Sequence, residues 1–76
     1  MDKNLVTVNQ LSKLLGMSES TINYYTNLGL LKIAERKGNR RLYNRLESVE
    51  RFKKIKKLRR DGYSLVVIQK EINNYF

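Results

Sequence analysis

Between Ser18 and Tyr25 the chain reads SESTINYY. Ser20, Thr21, Asn23, Tyr24 and Tyr25 are short polar or aromatic groups, and Ser18 stands where a helix cap would stand. Hydroxyls of this kind donate to phosphate oxygens. An asparagine amide offers a donor beside an acceptor, which matches the edge of adenine in a major groove. The plain alternative is an amphipathic surface helix with one tyrosine packed inside, and these residues alone leave both readings open. In either case Ile22 should face inward with Leu28 behind it, and one tyrosine should be partly buried with its neighbour exposed.

A basic hairpin follows: Arg36, Lys37, Gly38, Asn39, Arg40, Arg41, Leu42, Tyr43. Strand alternation puts Arg41 and Tyr43 on one face and Arg40 and Leu42 on the other. One arginine can then lie along a narrow groove while its neighbour meets phosphates. A solvated basic hairpin is the alternative, and proximity to a polar helix favours contact with a polyanion. Further on, Lys53-Lys54-x-Lys56-Lys57-x-Arg59-Arg60 reads mostly as a solvated helix face. Arg59 and Arg60 are the better candidates for phosphate contact, because they sit at the helix end beside a second glycine turn.

The charge map follows these features. Residues 1–31 carry two lysines and two acids, residues 32–60 carry 13 Lys/Arg and three acids, and residues 61–76 carry one lysine and two acids. The whole net charge of +9 therefore arises from the hairpin onwards. Such a balance points to nucleic acid, an anionic membrane surface or an acidic protein. The membrane surface fails on pattern, since the face opposite the lysines is needed for the core and no apolar face remains to insert. The longest uncharged apolar run, Leu65 to Ile68, is far too short for a span.

Catalysis is not expected. Seventy-six residues with no cysteine and no histidine leave little room for a cleft and remove the usual metal ligands. No nucleophile–base pair, paired carboxylates or phosphate-cradling glycine loop is visible, so the reading is of no enzyme, no cofactor, no metal and no small-molecule site. The absence of cysteine suits a reducing cytoplasm.

Several elements must position these side chains, and no proline-rich or serine-rich linker divides them, so the chain reads as a single domain over 1–76. Met1 to Leu5 reads as a loose start with room for a short strand. Thr7 with Gln10 fits a capping box, followed by Val8, Leu11, Leu14 and Leu15 at helical spacing and a stop at Gly16. Ser18 caps a second helix over Glu19 to Asn27, closed by Gly29. Helix, glycine turn and helix form a helix-turn-helix pattern. Leu31 to Arg36 and Arg40 to Asn44 read as two strands of a small β wing. Asn44 with Glu47 caps the longest helix, Arg45 to Arg60, on which Val49, Phe52, Ile55 and Leu58 sweep an arc of about 180°. Gly62 ends it, and Ser64 caps a last helix that aligns Leu65, Ile68 and Ile72.

The order LSKLLGMSESTINYY..LGLL, then GNRRLY, then VERFKKIKKLRRDGYSLVVI resembles the DNA-binding domain of MerR-type regulators, from about Leu5 to Ile72. The resemblance rests on Tyr24-Tyr25 followed by Gly29-Leu30-Leu31, on Arg41-x-Tyr43, and on Arg59-x-x-Gly62-Tyr63-Ser64-Leu65. It implies a mainly α, winged helix-turn-helix fold, DNA contacts from Tyr24, Tyr25, Arg41, Tyr43 and Arg59, and a symmetric homodimer on double-stranded DNA in the full-length protein. Three departures stand out. Asn23 replaces the arginine usual before the tyrosine pair, Lys32-Ile33 replaces a frequent proline, and the family's long dimerising helix and effector domain do not follow Phe76. The chain is therefore expected to be the N-terminal domain of a longer protein, with a short winged-helix protein of a mobile element as the alternative. By itself it should be monomeric or only weakly associated, with Val66, Val67, Tyr75 and Phe76 as a surface for missing residues or a second chain.

The expected activity is sequence-specific binding of duplex DNA in transcriptional regulation, in the cytoplasm with the nucleoid or a plasmid. Binding of a plasmid or chromosome partition site and an excisionase-like role use the same chemistry. A basic adaptor for an acidic protein is the alternative without nucleic acid. The expected contact set is Ser18, Ser20, Thr21, Asn23, Tyr24, Tyr25, Lys37, Arg40, Arg41, Tyr43, Arg59 and Arg60.

Overall fold

The computed structural model describes residues 4–76. The elements run β1 (Leu5–Thr7), α1 (Val8–Leu15), α2 (Glu19–Asn27), β2 (Glu35–Lys37), β3 (Arg40–Asn44), α3 (Arg45–Arg60) and α4 (Leu65–Tyr75). The architecture is a mainly α winged helix. Each helix begins at a side-chain cap that satisfies an otherwise orphaned amide. Thr7 accepts from Gln10 N and Gln10 answers to Thr7 N, closing the capping box. Ser18, Asn44 and Ser64 accept from Thr21 N, Glu47 N and Val67 N.

The tight connection between α1 and α2 depends on Gly16, whose φ of 68° lies in the left-handed region open to glycine. The amides of Gly16 and Met17 both return to Ser12 O. At the end of α2, Leu30 N and Leu31 N both donate to Tyr25 O, at 2.9 and 3.4 Å. That turn sends consecutive leucines into different parts of the interior. Leu31 joins Leu11, Ile22 and Tyr43 in one buried cluster, and Leu30 joins Ile55, Ile68 and Ile72 in another. Tyr25 packs against both. The two clusters tie α1, α2 and the sheet on one side to α3 and α4 on the other.

The wing differs from the sequence expectation in two ways. Its first strand is Glu35–Lys37, not Leu31–Arg36, because Leu31 is pulled into the core and Ile33 packs beside it. The sheet also has three strands, in the order β1-β3-β2, both pairings antiparallel. Leu5–Thr7 supplies the third strand; the part of the expected loose start at Met1 to Lys3 lies outside the described residues.

Some inward assignments also shift. Leu28 is exposed, since six residues beyond Ile22 lies about 240° round the helix. Leu14 is exposed at the edge of the α1 stripe. On α3 only Ile55 of the expected apolar arc is fully buried, and Val49, Phe52 and Leu58 are half-buried. The other buried positions are Ser48 and Arg51.

Arg51 lies at the junction of three elements. Its Nε donates to Glu47 Oε2 at 3.1 Å, and its Nη1 donates to Leu30 O at 3.3 Å and to Asn73 Oδ1 at 3.4 Å. Its guanidinium stands 4.9 Å from the centroid of the Phe76 ring. Asn73 Nδ2 in turn donates to Gly29 O. These bonds fasten the turn that ends α2 to the far end of α4.

Candidate nucleic-acid interface

Helix α2 is a ridge with a groove on either side. Ile22 and half-buried Tyr25 point into the protein, and Ser20, Asn23, Tyr24 and Asn27 are exposed. Tyr24 keeps 53% of its surface, and its ring lies 6.1 Å from that of Tyr25, tilted by 46°. The expected division of the tyrosine pair, one partly buried and one exposed, is therefore present. Ser18 and Thr21 are tied to each other. Ser18 Oγ accepts from Thr21 N at 3.1 Å and shares a hydroxyl–hydroxyl bond with Thr21 Oγ1 at 2.9 Å. Their first task is to begin the helix.

The first groove lies between α2 and the wing. It is lined by Glu19, Asn23 and Asn27 from the helix, Asn39, Arg40 and Arg41 from the wing, and Thr7 to Asn9 at the start of α1. Arg41 Nη1 donates to Asn23 Oδ1 at 3.3 Å, so wing and helix meet across it. The register explains which wing residues reach this side. Tyr43 is opposite Val6 and Arg41 is opposite Arg36, all on the face turned towards the helices. Lys37 and Arg40 are opposite each other on the outer face, and Arg40, the first residue of β3, still borders the groove from the hairpin end. Arg36 is thus a cation on the helix side that the expected contact set omits. The alternation that placed Arg41 could have found it.

Tyr43 requires a correction. Expected as a surface contact, it is fully buried in the core cluster, and its hydroxyl bonds Thr26 Oγ1 at 2.8 Å. Thr26 Oγ1 also bonds Ile22 O. The ring is large and apolar, the strand turns it inward, and its one polar atom is satisfied there. It shapes the interface by holding β3 against α2, not by touching a ligand.

The second groove runs along the other side of α2. Met17, Tyr25, Phe52 and Ile55 form its floor, and Lys56, Arg59 and Arg60 its rim. The structure thereby brings Arg59 and Arg60 beside α2, although more than 30 residues of chain separate them. Lys56 accompanies them, its ammonium 5.6 Å from the Phe52 ring centroid. The ridge of polar side chains is flanked by the basic wing on one side and this basic helix end on the other.

A polar helix exposed between two basic walls, on a helix-turn-helix with a β wing, defines a DNA-binding winged helix. Residues 6–75 match the MerR HTH family of regulatory proteins, and the chain belongs to that family. It is similar to the nodulation protein NolA of Bradyrhizobium diazoefficiens (strain USDA 110), 39% identical over 64 residues that cover 83% of this chain and 27% of that protein. The NolA of Bradyrhizobium elkanii is 39% identical over 64 residues, 83% of this chain and 29% of the relative. The chain thus spans less than a third of the length of these curated relatives. No solved structure matches it. Among the described residues, no helix is long and apolar enough to cross a membrane and no acidic cluster could hold a metal ion.

Proposed function

We propose that this chain reads a specific sequence in duplex DNA as the DNA-binding domain of a transcriptional regulator. The observation that carries the reading is the exposed polar face of α2 between two basic walls. A major groove about 12 Å wide admits an α-helix, and the nine-residue α2 is about 13 Å long. With the ridge seated there, Asn23 and Ser20 meet base edges and Tyr24 meets a phosphate. The wing cations Arg36, Lys37, Arg40 and Arg41 then follow the backbone on one side, and Lys56, Arg59 and Arg60 follow it on the other. Phosphate contacts set register and orientation, and the helix supplies sequence.

In the full-length protein the reading extends to a homodimer on symmetric half-sites. The test is selection of bound molecules from a random duplex pool. A single enriched motif, arranged as spaced inverted copies for the full-length protein, is the expected result. Tandem copies would favour a segregation site instead. No enriched motif, with equal retention of all duplexes, would overturn sequence-specific reading.

A further inference from the structure

Glu19 is the acidic residue of the α2–wing groove, and phosphate binding gives it no role. It is the first residue of α2, is exposed, and lines the groove with Asn23, Asn27, Asn39 and Arg41. Spacings of four place Glu19, Asn23 and Asn27 in one stripe within about 80° of the helix. The carboxylate is held in place, since Glu19 Oε2 accepts from Asn9 Nδ2 at 2.9 Å. It is not neutralised across the groove. Among the described residues the ion pairs are Arg51–Glu47 and Lys53–Glu50.

We propose that Glu19 is a specificity-determining residue that accepts a hydrogen bond from the N4 amino group of a cytosine in the major groove. This rests on the duplex-DNA reading above. A fixed carboxylate beside phosphates is repelled, so on a bound duplex its favourable partners are base amino groups. A carboxylate only accepts. Cytosine presents an amino donor there, adenine pairs its amino group with the N7 acceptor, and guanine presents two acceptors. Cytosine is therefore favoured and guanine most strongly rejected at this position. Asn23, which both donates and accepts, is suited to adenine at a neighbouring step. Asn9 is a positioning residue, because its amide holds the carboxylate at the mouth of the groove. An acid in the first helical turn also complements the positive end of the helix. That effect changes folding stability and not base preference, so the two roles separate.

The experiment compares sequences selected from a random duplex pool by the natural chain and by Glu19→Gln, with thermal unfolding of both. The glutamine keeps the size and can still accept from Asn9, so the fold is retained. The natural chain should select cytosine at one position of its site by roughly 5-fold to 150-fold over guanine. Glu19→Gln should lose that preference, or move it towards adenine, with the rest of the motif unchanged. Asn9→Ala should weaken the same preference without moving it. Identical motifs from the natural chain and Glu19→Gln would overturn the proposal, as would a uniform affinity gain on every duplex. A natural chain that enriches no motif would instead overturn the reading on which the proposal rests.

Discussion

Tyr24, Tyr25 and Tyr43 carry the same side chain and have three different tasks. Tyr43 is fully buried, and its hydroxyl is spent on Thr26. Tyr25 bridges the two core clusters. Tyr24 is more than half exposed on the ridge. Substitution should separate these tasks. Tyr43→Phe should cost about 1 kcal/mol of stability, the usual worth of one internal hydrogen bond, and leave DNA affinity unchanged in the folded protein. Tyr24→Phe should leave the thermal midpoint unchanged and weaken binding about 10-fold, since a hydrogen bond to a charged phosphate is worth roughly 1.5 kcal/mol. Thermal unfolding and fluorescence anisotropy check both. Sequence alternation correctly gave Tyr43 and Arg41 the same face. It could not show that this face is covered by α2 at one residue and open to the groove two residues earlier.

At the scale of elements, the caps were legible and the buried charge was not. Thr7, Ser18, Asn44 and Ser64 each act where short polar residues precede an apolar rhythm, because capping is a local matter. Arg51 sits among 13 cations in residues 32–60 and resembles a surface residue in sequence. Only the tertiary arrangement of Leu30, Asn73 and Phe76 turns it into a clamp. The first wing strand was misplaced for a related reason: Leu31 to Ile33 is apolar enough for a strand, but the clusters on either side claim Leu30 and Leu31. Arg51→Ala should destabilise the chain by about 2–4 kcal/mol, since it takes the donor from the buried Leu30 carbonyl, leaves Glu47 without its ion pair and removes the cation beside the Phe76 ring. A loss below roughly 0.5 kcal/mol in chemical denaturation, within the range of ordinary surface changes, would show that the clamp is not structural. Gly29→Ala tests the same turn from its other side. Gly29 has φ +81°, and an added Cβ would lie 3.2 Å from Gln69 Nε2. A cost of about 1–2 kcal/mol is expected from the left-handed backbone alone.

Across the whole molecule, charge and shape divide the labour. The clusters that join the helices use uncharged residues, and the net positive charge comes from residues 32–60. That segment supplies both walls of the ridge, the wing before α3 and the basic end of α3 itself. The charge asymmetry was fully legible in the sequence, and so was the order of motifs that marks the family. The pairing of two distant basic segments around one helix was not, because it depends on the tertiary packing that sets the end of α3 beside Tyr25 of α2. If both walls meet phosphates at once, several counterions leave on binding and the salt dependence is steep. The most direct measurement is an anisotropy titration of the chain with its selected duplex and with a scrambled duplex of equal composition, at roughly 50 and 200 mM salt. Affinity for both duplexes should fall by at least ~10-fold between the two salts, and the selected duplex should stay preferred by at least ~10-fold at each. Equal affinity for the two duplexes, or binding indifferent to salt, would contradict a sequence-reading helix held between two phosphate-binding walls.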